Sequence, residues 1–203
     1  MKLTQFEQSG FIIESDNGYK LAIDIGSYTP VDKLNGISPD AMLVSHTHGD
    51  HFSLEQIKKL APKKLYINRE CIEVLGEESL SSEIIETKIG DSIDIAGIKV
   101  QIFDVDHGPN TKVRPKENFG FLLEVDGQKI YFAGDMFYQS GMVVNDLEVD
   151  FALIPVGGFY TFGPAEAVEF AQKFKKIGQI LPMHYEKVAE TRDEFLKLWL
   201  AYV

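Results

Sequence analysis

Residues 45–51 read SHTHGDH and hold three of the five histidines in a chain of 203 residues. A single His-x-His pair would fit an ordinary polar loop. Three histidines and an aspartate within seven positions also suit a metal site, because imidazole and carboxylate groups are common metal ligands. The rest of the sequence decides between the two interpretations.

The spacing within this stretch predicts that it serves two ions. Residues i and i+2 of an extended segment point to the same side, so His46 and His48 can bind one ion together. We expect Gly49 to let the backbone turn, which directs Asp50 and His51 elsewhere. These two side chains are therefore candidates to bind a second ion beside the first.

Further ligands for both ions follow strand-like runs later in the chain. His107 comes after DVD, His184 comes after QILPM, and Asp135 closes KIYFAGD. We expect His107 to complete the first set and His184 the second, with Asp135 bridging both ions through its two carboxylate oxygens. Imidazole and carboxylate without thiolate suit Zn²⁺, Mn²⁺ or Fe²⁺ better than a structural cysteine-zinc site.

Composition sets the broad class of the protein. The chain is 44% hydrophobic and 25% charged, which predicts one compact globular domain over residues 1–203. A formal net charge of -11 argues against broad electrostatic binding to nucleic acid or to a membrane surface, although a local basic pocket stays possible. The sole cysteine, Cys71, makes no internal disulfide. Without a secretory signal or an apolar run of about 20 residues, we predict a soluble, cytoplasmic protein.

Strand-like runs in the first half are FIIES, YKLAIDI, AMLVS, KLYIN and IKVQIFDV. A helix over residues 53–61 interrupts them, directly after the histidine cluster. Ser53 and Gln56 have the spacing of a capping box at its start, and Pro62 lies just beyond its end.

The second half repeats this organisation. FGFLLEV and KIYFA are joined by Asp-Gly at 126–127, which predicts a hairpin, and DFALIPV and QILPM are further strands. A helix is predicted from Pro164 to Gly178, and a capping box of Thr191 and Glu194 opens a final helix. Two groups of strands, each followed by helices, fit two packed sheets with helices outside.

The order HxHxDH, later His, Asp and final His resembles the metallo-β-lactamase superfamily. The matching positions are His46, His48, Asp50, His51, His107, Asp135 and His184. The resemblance extends over essentially the whole chain. It implies an α/β (α+β) fold, an αββα sandwich of two mixed β-sheets flanked by helices, with two divalent ions in a cleft at one edge of the sheets. Zn²⁺ is the first candidate, with Mn²⁺ or Fe²⁺ as alternatives.

The stretch GGFYTFGPAEA at 157–167 narrows this resemblance. It looks like small metal-dependent hydrolases similar to the ascorbate-6-phosphate lactonases and the N-acylphosphatidylethanolamine phospholipases. Phe162 departs from that pattern, where Met is more usual. The alternative explanation for this stretch is a helix start that takes no part in the cleft.

Metal-dependent hydrolysis is the activity that the resemblance implies. Two ions that share a water lower its pKa toward about 7 and supply hydroxide at neutral pH. We expect Asp50 to ligate the second ion and to orient or deprotonate this water. Asp24, at the end of LAID, is expected either to fix a ligand imidazole or to be a plain turn residue.

The expected substrate is a small, anionic ester, lactone, phosphodiester or thioester. Five residues are candidates to bind it: Arg114, Lys116, Tyr160, Thr161 and Tyr185. The two cations could hold an anionic group, and the tyrosines could donate hydrogen bonds. A solvated loop and ordinary cleft packing are the alternative explanations.

Two other functions stay open from the sequence. The same scaffold with one iron performs oxidation in sulfur dioxygenases, although seven filled ligand positions favour a dinuclear site. A non-catalytic binding module is the second, and the intact ligand set argues against it. Nucleic-acid substrates are not expected, because relatives that process them usually carry an added domain or arm. Nothing in the sequence predicts the oligomeric state.

Overall fold

Two six-stranded β-sheets form the centre of the computed structural model, which describes residues 1–108, 110–137 and 144–202. In each sheet the strands lie in chain order. The first sheet consists of β1 (Lys2–Gln5), β2 (Phe11–Glu14), β3 (Lys20–Ile23), β4 (Ala41–Leu43), β5 (Lys64–Ile67) and β6 (Glu83–Glu86). The second consists of β7 (Ser92–Ile95), β8 (Ile98–Asp104), β9 (Phe119–Val125), β10 (Gln128–Phe132), β11 (Glu148–Pro155) and β12 (Lys176–Met183).

Four α-helices accompany the sheets in the described part of the chain. They are α1 (Leu54–Leu60), α2 (Arg69–Leu75), α3 (Pro164–Ala171) and α4 (Glu190–Tyr202), and a short 3-10 helix covers Val31–Leu34. The expected architecture of two mixed sheets flanked by helices is therefore confirmed. Within the described residues, no helix has the length and apolar character needed to cross a bilayer.

Apolar side chains alternate between the two faces of the first sheet. Phe11 and Ile13 of β2 join the core that the two sheets share, whereas Ile12 between them packs with the second apolar cluster beneath α1 and α2. Such alternation follows from the two-residue period of a strand. The first sheet is thus covered on both faces, and α3 contributes Phe170 to the shared core.

Strand direction brings the carboxyl ends of many strands to one edge. β3, β4 and β5 pair in parallel, and β1 runs the same way because β2 is antiparallel to both β1 and β3. In the second sheet β10, β11 and β12 are parallel, and β8 shares their direction through the antiparallel β9. Loops that follow these strands can therefore meet.

The predicted hairpin at 126–127 is confirmed. β9 and β10 pair antiparallel around Asp126 and Gly127, whose φ values of 51° and 76° suit a two-residue turn of type I′. Asp and Gly adopt such positive φ values more easily than other residues.

The predicted boundary between α3 and β12 is wrong. The helix ends at Ala171, and residues 176–178 belong to β12. Pairing with β11 satisfies their main-chain groups and overrides the helical pattern of the sequence. Gly178 allows close packing in the sheet, because a Cβ there would lie 2.7 Å from the Asp150 carbonyl oxygen.

Both predicted capping boxes are also wrong in detail. Ser53 is the N-cap residue of α1, but its hydroxyl hydrogen-bonds the Gln56 side chain and caps no main-chain N–H. Thr191 lies inside the first turn of α4, where its hydroxyl donates to the Val188 carbonyl. Helix α2, which the sequence analysis did not predict, has a side-chain cap: Asn68 accepts from the Cys71 N–H at 2.7 Å.

Candidate metal centre

The segment that holds the first three histidines is a compact turn between β4 and α1. The N–H groups of His51 and Phe52 both donate to the His48 carbonyl, at 2.9 and 2.7 Å. The turn lies directly on Gly26, where a Cβ would stand 2.1 Å from the carbonyl carbon of Asp50. Close contact with the loop after β3 therefore fixes the path of residues 46–51.

Seven predicted ligands converge on this turn. The first group consists of His46, His48, His107 and Asp135, and the second consists of Asp50, His51, Asp135 and His184. Within each group the potential ligand atoms lie within 4.8 Å of one another. The structure thus brings together the two sets that the spacing predicted, with Asp135 common to both.

Each distant ligand reaches the site from a strand that ends at the shared edge. His107 lies three residues after β8, Asp135 three residues after β10, and His184 directly after β12. These strands run in one direction, so their carboxyl ends lie at the same edge of the sheet. His184 has a φ of 60°, a strained value for a residue with a side chain.

Asp24 orients the histidines from behind the turn. Its Oδ2 accepts from His51 Nδ1 at 2.7 Å and from the Ser45 hydroxyl, and its Oδ1 accepts from the Ser45 N–H at 2.7 Å. Because the Ser45 hydroxyl donates to Asp24, it can accept from His46 Nδ1 at 2.9 Å. Both imidazoles thereby direct Nε2 toward the site, as expected for histidines with an outer carboxylate.

The loop after His107 orients the two remaining ligands of the first group. His48 Nε2 donates to the Val113 carbonyl at 2.8 Å, so Nδ1 is the nitrogen that faces the site, 3.0 Å from His46 Nε2. His107 Nδ1 contacts the Thr111 hydroxyl at 3.1 Å, so Nε2 is the nitrogen that faces Asp135. Each imidazole of the first group therefore presents one lone pair inward.

Buried atoms without hydrogen-bond partners mark the centre of the site. They are His51 Nε2, His107 Nε2, His184 Nε2 and Asp135 Oδ1. A buried polar atom is costly unless it has a partner. Nitrogen and carboxylate donors that point at one place, and that no protein group satisfies, fit divalent cations.

The electrostatics of the second group favour positive charge. Burial lowers the pKa of His51, but Asp135, Asp50 and Asp24 attract a proton more strongly and raise that pKa well above its usual range. For His184, burial likewise opposes the charge, yet Asp135 and Asp50 raise the pKa to about 10. The carboxylates therefore draw a cation into the site, and a metal ion can supply that charge.

The structure places the five candidate substrate residues in different surroundings. Only Tyr160 among them lines the cavity above the candidate metal centre. Thr161 is buried, and Tyr185 faces a separate surface groove. Arg114 donates to the His107 carbonyl at 3.1 Å, and Lys116 lies 3.9 Å from Glu73.

The cavity has a volume of about 390 Å³, within the range of small-molecule sites. Its floor carries His48, Asp50, His107, Asp135 and His184. Its walls are Gln8, Tyr28, Thr111, Gly157, Gly158, Phe159, Tyr160, Lys187 and Val188. The site therefore combines a polar floor with largely aromatic and apolar walls.

Gln8 is a site residue that the sequence analysis missed. Its side-chain amide donates to Asp50 Oδ2 at 3.0 Å, and its main-chain carbonyl accepts from the His184 main-chain N–H at 3.0 Å. One residue thus holds two candidate ligands of the second group. No local motif surrounds Gln8, and the only available signal was its place after a strand that ends at the shared edge.

Comparison with known proteins supports the fold and the class of site. A family model described as "Beta-lactamase superfamily domain" matches residues 2–184. A UPF0173 metal-dependent hydrolase of Myxococcus xanthus is 30% identical over 200 residues, covering 91% of this chain and 70% of that protein. One from Thermococcus onnurineus is 31% identical over 181 residues, covering 85% and 80%.

A solved structure also resembles the chain closely in fold. Igni18, a metallo hydrolase from the archaeon Ignicoccus hospitalis, matches with a TM-score of 0.77 at 24% identity. The match covers 98% of this chain and 90% of that chain. The fold expected from the histidine and aspartate pattern is confirmed by this likeness.

Proposed function

The chain belongs to the beta-lactamase superfamily and to the UPF0173 metal-dependent hydrolase family, and from this membership we propose that it uses two divalent ions to hydrolyse small anionic esters, lactones or phosphodiesters. Zn²⁺ is the proposed metal, because borderline imidazole and carboxylate donors without thiolate suit it. Mn²⁺ and Fe²⁺ are the alternatives that the same donors accept.

The observation that carries this proposal is the position of Asp135 between the two histidine groups. Its Oδ1 lies 3.1 Å from His51 Nε2, and its Oδ2 lies 3.1 Å from His184 Nε2 and 3.4 Å from His107 Nε2. Oδ2 of this buried carboxylate therefore faces imidazoles of both groups and Oδ1 faces the second group, which suits a ligand shared by both. This arrangement supports two adjacent ions rather than one.

When bound, the ions would supply hydroxide at neutral pH and positive charge for the oxygen of the attacked group. The chain itself contributes Asp50, whose Oδ2 lies at the cavity floor, 3.5 Å from His184 Nε2. We assign Asp50 the role of ligand and of proton acceptor for the attacking water. Gln8 holds this carboxylate in place, and Tyr28, Phe159 and Tyr160 line the same cavity.

The substrate class rests on the size of the cavity and on residues 157–160. A cavity of about 390 Å³ suits a small molecule. Gly157, Gly158, Phe159 and Tyr160 line it, and this stretch resembles the lactonase-like branch of the superfamily. Lactones are therefore the first substrates to test within the ester class.

The proposal is tested by metal analysis of purified protein together with a screen of lactone, ester, phosphodiester, phosphomonoester and thioester substrates. We expect about two divalent ions per chain and a hydrolytic rate that chelation abolishes and zinc restores. Asp135→Asn should lose metal and activity together. Asp50→Asn should retain much of the metal and lose turnover, because its amide can still ligate but cannot accept the proton.

Asp146→Asn is the matched control, since Asp146 is exposed just before β11, at the far end of the strand from the site. It should leave metal content and rate unchanged. Full activity of Asp50→Asn at full metal content would disprove the role of Asp50. One iron per chain with oxygen consumption would instead indicate an oxidoreductase, and a rate independent of metal would refute the whole proposal.

A further inference from the structure

We infer that Lys187, held on the ring of Tyr28, binds the anionic group of the substrate. The inference deepens the proposed function and rests on it. It predicts a preference for small, partly apolar lactones or esters that carry a carboxylate or phosphate beside the bond to be hydrolysed.

The position of Lys187 follows from the turn after the last candidate ligand. The Val188 N–H donates to the Tyr185 carbonyl at 2.9 Å, which closes a turn over residues 185–188. The turn divides its side chains between two surfaces: Lys187 and Val188 line the cavity, whereas Tyr185 and Glu186 line the separate groove. Lys187 thus stands at the cavity wall, three residues from His184.

Contact with an aromatic ring holds the ammonium group at this wall. Lys187 Nζ lies 4.9 Å from the centroid of the Tyr28 ring, within the range of a cation–π interaction. Among the residues that the structure describes, no carboxylate lies within ion-pairing distance of Lys187. Its charge is therefore available to a ligand.

Other cations near the site are directed elsewhere. Arg114 binds the His107 carbonyl and lies 3.9 Å from Asp106, and Lys116 pairs with Glu73. Of the described residues that line the cavity, Lys187 is the one that carries a lysine or arginine charge. In a chain with a net charge of -11, this single cation at the cavity wall selects for a negative group.

The remaining walls define the rest of the ligand. Phe159 and Tyr160 lie edge to face with ring centroids 4.7 Å apart, and Val188 adjoins Lys187 in the turn. These side chains suit an apolar or aromatic body, while a carboxylate or phosphate accepts a charge-assisted hydrogen bond from Lys187. The substrate class is therefore an amphipathic small molecule with one anionic end.

The test compares 4-acetoxybenzoate, an ester whose free carboxylate cannot reach its own ester carbonyl, with the neutral phenyl acetate, using the zinc-loaded protein. For Lys187→Ala we expect KM for the anionic ester to rise about tenfold, the value of one charge-assisted contact. The rate with the neutral ester should change less than about twofold. Lys187→Arg should retain most of the preference. Lys197→Ala, an equal loss of charge on the exposed face of α4, should leave both esters unaffected.

A second measurement tests the role of Lys187 in anion binding without requiring hydrolysis. Calorimetry compares the binding of hippurate, which has an aromatic body and a carboxylate, with that of the neutral hippuramide. Wild type should favour hippurate by about tenfold, and Lys187→Ala should lose this preference. A preference that survives in Lys187→Ala would place the carboxylate on the metals and overturn the inference. If no ester is hydrolysed but the binding preference depends on Lys187, the proposed reaction fails while this anion site stands.

Discussion

At the scale of single residues, the orientation of the imidazoles depends on groups that do not themselves face the cavity. Asp24 is fully buried, and its carboxylate accepts three hydrogen bonds: from His51, from the Ser45 hydroxyl and from the Ser45 N–H. Its φ of 46° is left-handed, a conformation that aspartate and asparagine tolerate better than most residues. The replacement Asp24→Asn therefore removes the negative charge of the side chain while the backbone can keep its left-handed conformation.

Asp24→Asn should lower the affinity for metal by about 10- to 100-fold, as removal of an outer carboxylate typically does. The backbone is preserved, but the new amide group must face one of three donors that the carboxylate satisfied. Competition with a chromogenic chelator measures the affinity. Asp126→Asn is the control, because Asp126 also has a left-handed φ, of 51°, and lies in the distant β9–β10 turn. An unchanged affinity in Asp24→Asn would show that Asp24 only shapes the turn.

At the scale of elements, the sequence was most informative where a local pattern coincides with a strand end. His107, Asp135 and His184 each follow a strand-like run, and strand direction brings them to one edge. Gln8 has no such pattern around it. Its contact with Asp50 depends on the pairing of β1 with β2, which the residues around Gln8 do not predict. The local sequence of residues 176–178 predicts a helix, whereas the structure has a strand there. The strand forms because these residues pair with β11, which is distant in the sequence.

The turn itself shows a further difference between sequence and structure. The sequence predicts that Gly49 provides conformational freedom for the turn, yet its φ is not in the left-handed region and a Cβ there would come no closer than 3.8 Å to Ser27 Oγ. The tight contact is at Gly26, whose Cβ would overlap the main chain of Asp50 at 2.1 Å. The turn at residues 46–51 therefore packs against the loop that follows β3.

Alanine should be damaging at Gly26 and nearly neutral at Gly49. Gly26→Ala must displace the main chain that carries Asp50 and His51, so we expect a loss of metal from the second group and a lower free energy of unfolding by about 2 kcal/mol or more. Gly49→Ala should bind metal normally and unfold within about 0.5 kcal/mol of wild type. Denaturant unfolding and metal content measure both effects. Comparable losses in the two variants would contradict the packing described for Gly26.

At the scale of the whole molecule, the candidate centre joins the two sheets. His46, His48, Asp50 and His51 come from the first sheet, and His107, Asp135 and His184 come from the second. The edge where these loops meet holds several buried nitrogen and oxygen atoms without hydrogen-bond partners, and the core that the sheets share is mainly apolar. Metal binding should therefore stabilise the association of the sheets as well as supply chemistry.

Removal of metal should accordingly lower the melting temperature. A ligand present at about 1,000 times its Kd stabilises the folded state by about 4 kcal/mol, which corresponds to roughly 10 °C in a chain of this size. Calorimetric scans with and without EDTA measure the shift, and added zinc should reverse it.

Asp135→Asn should melt lower and show little response to EDTA. Ile13→Val, a change in the shared core, should lower the melting temperature while keeping the full EDTA shift. A shift that persists in Asp135→Asn, or that is absent in wild type, would mean that the metals do not bridge the two sheets.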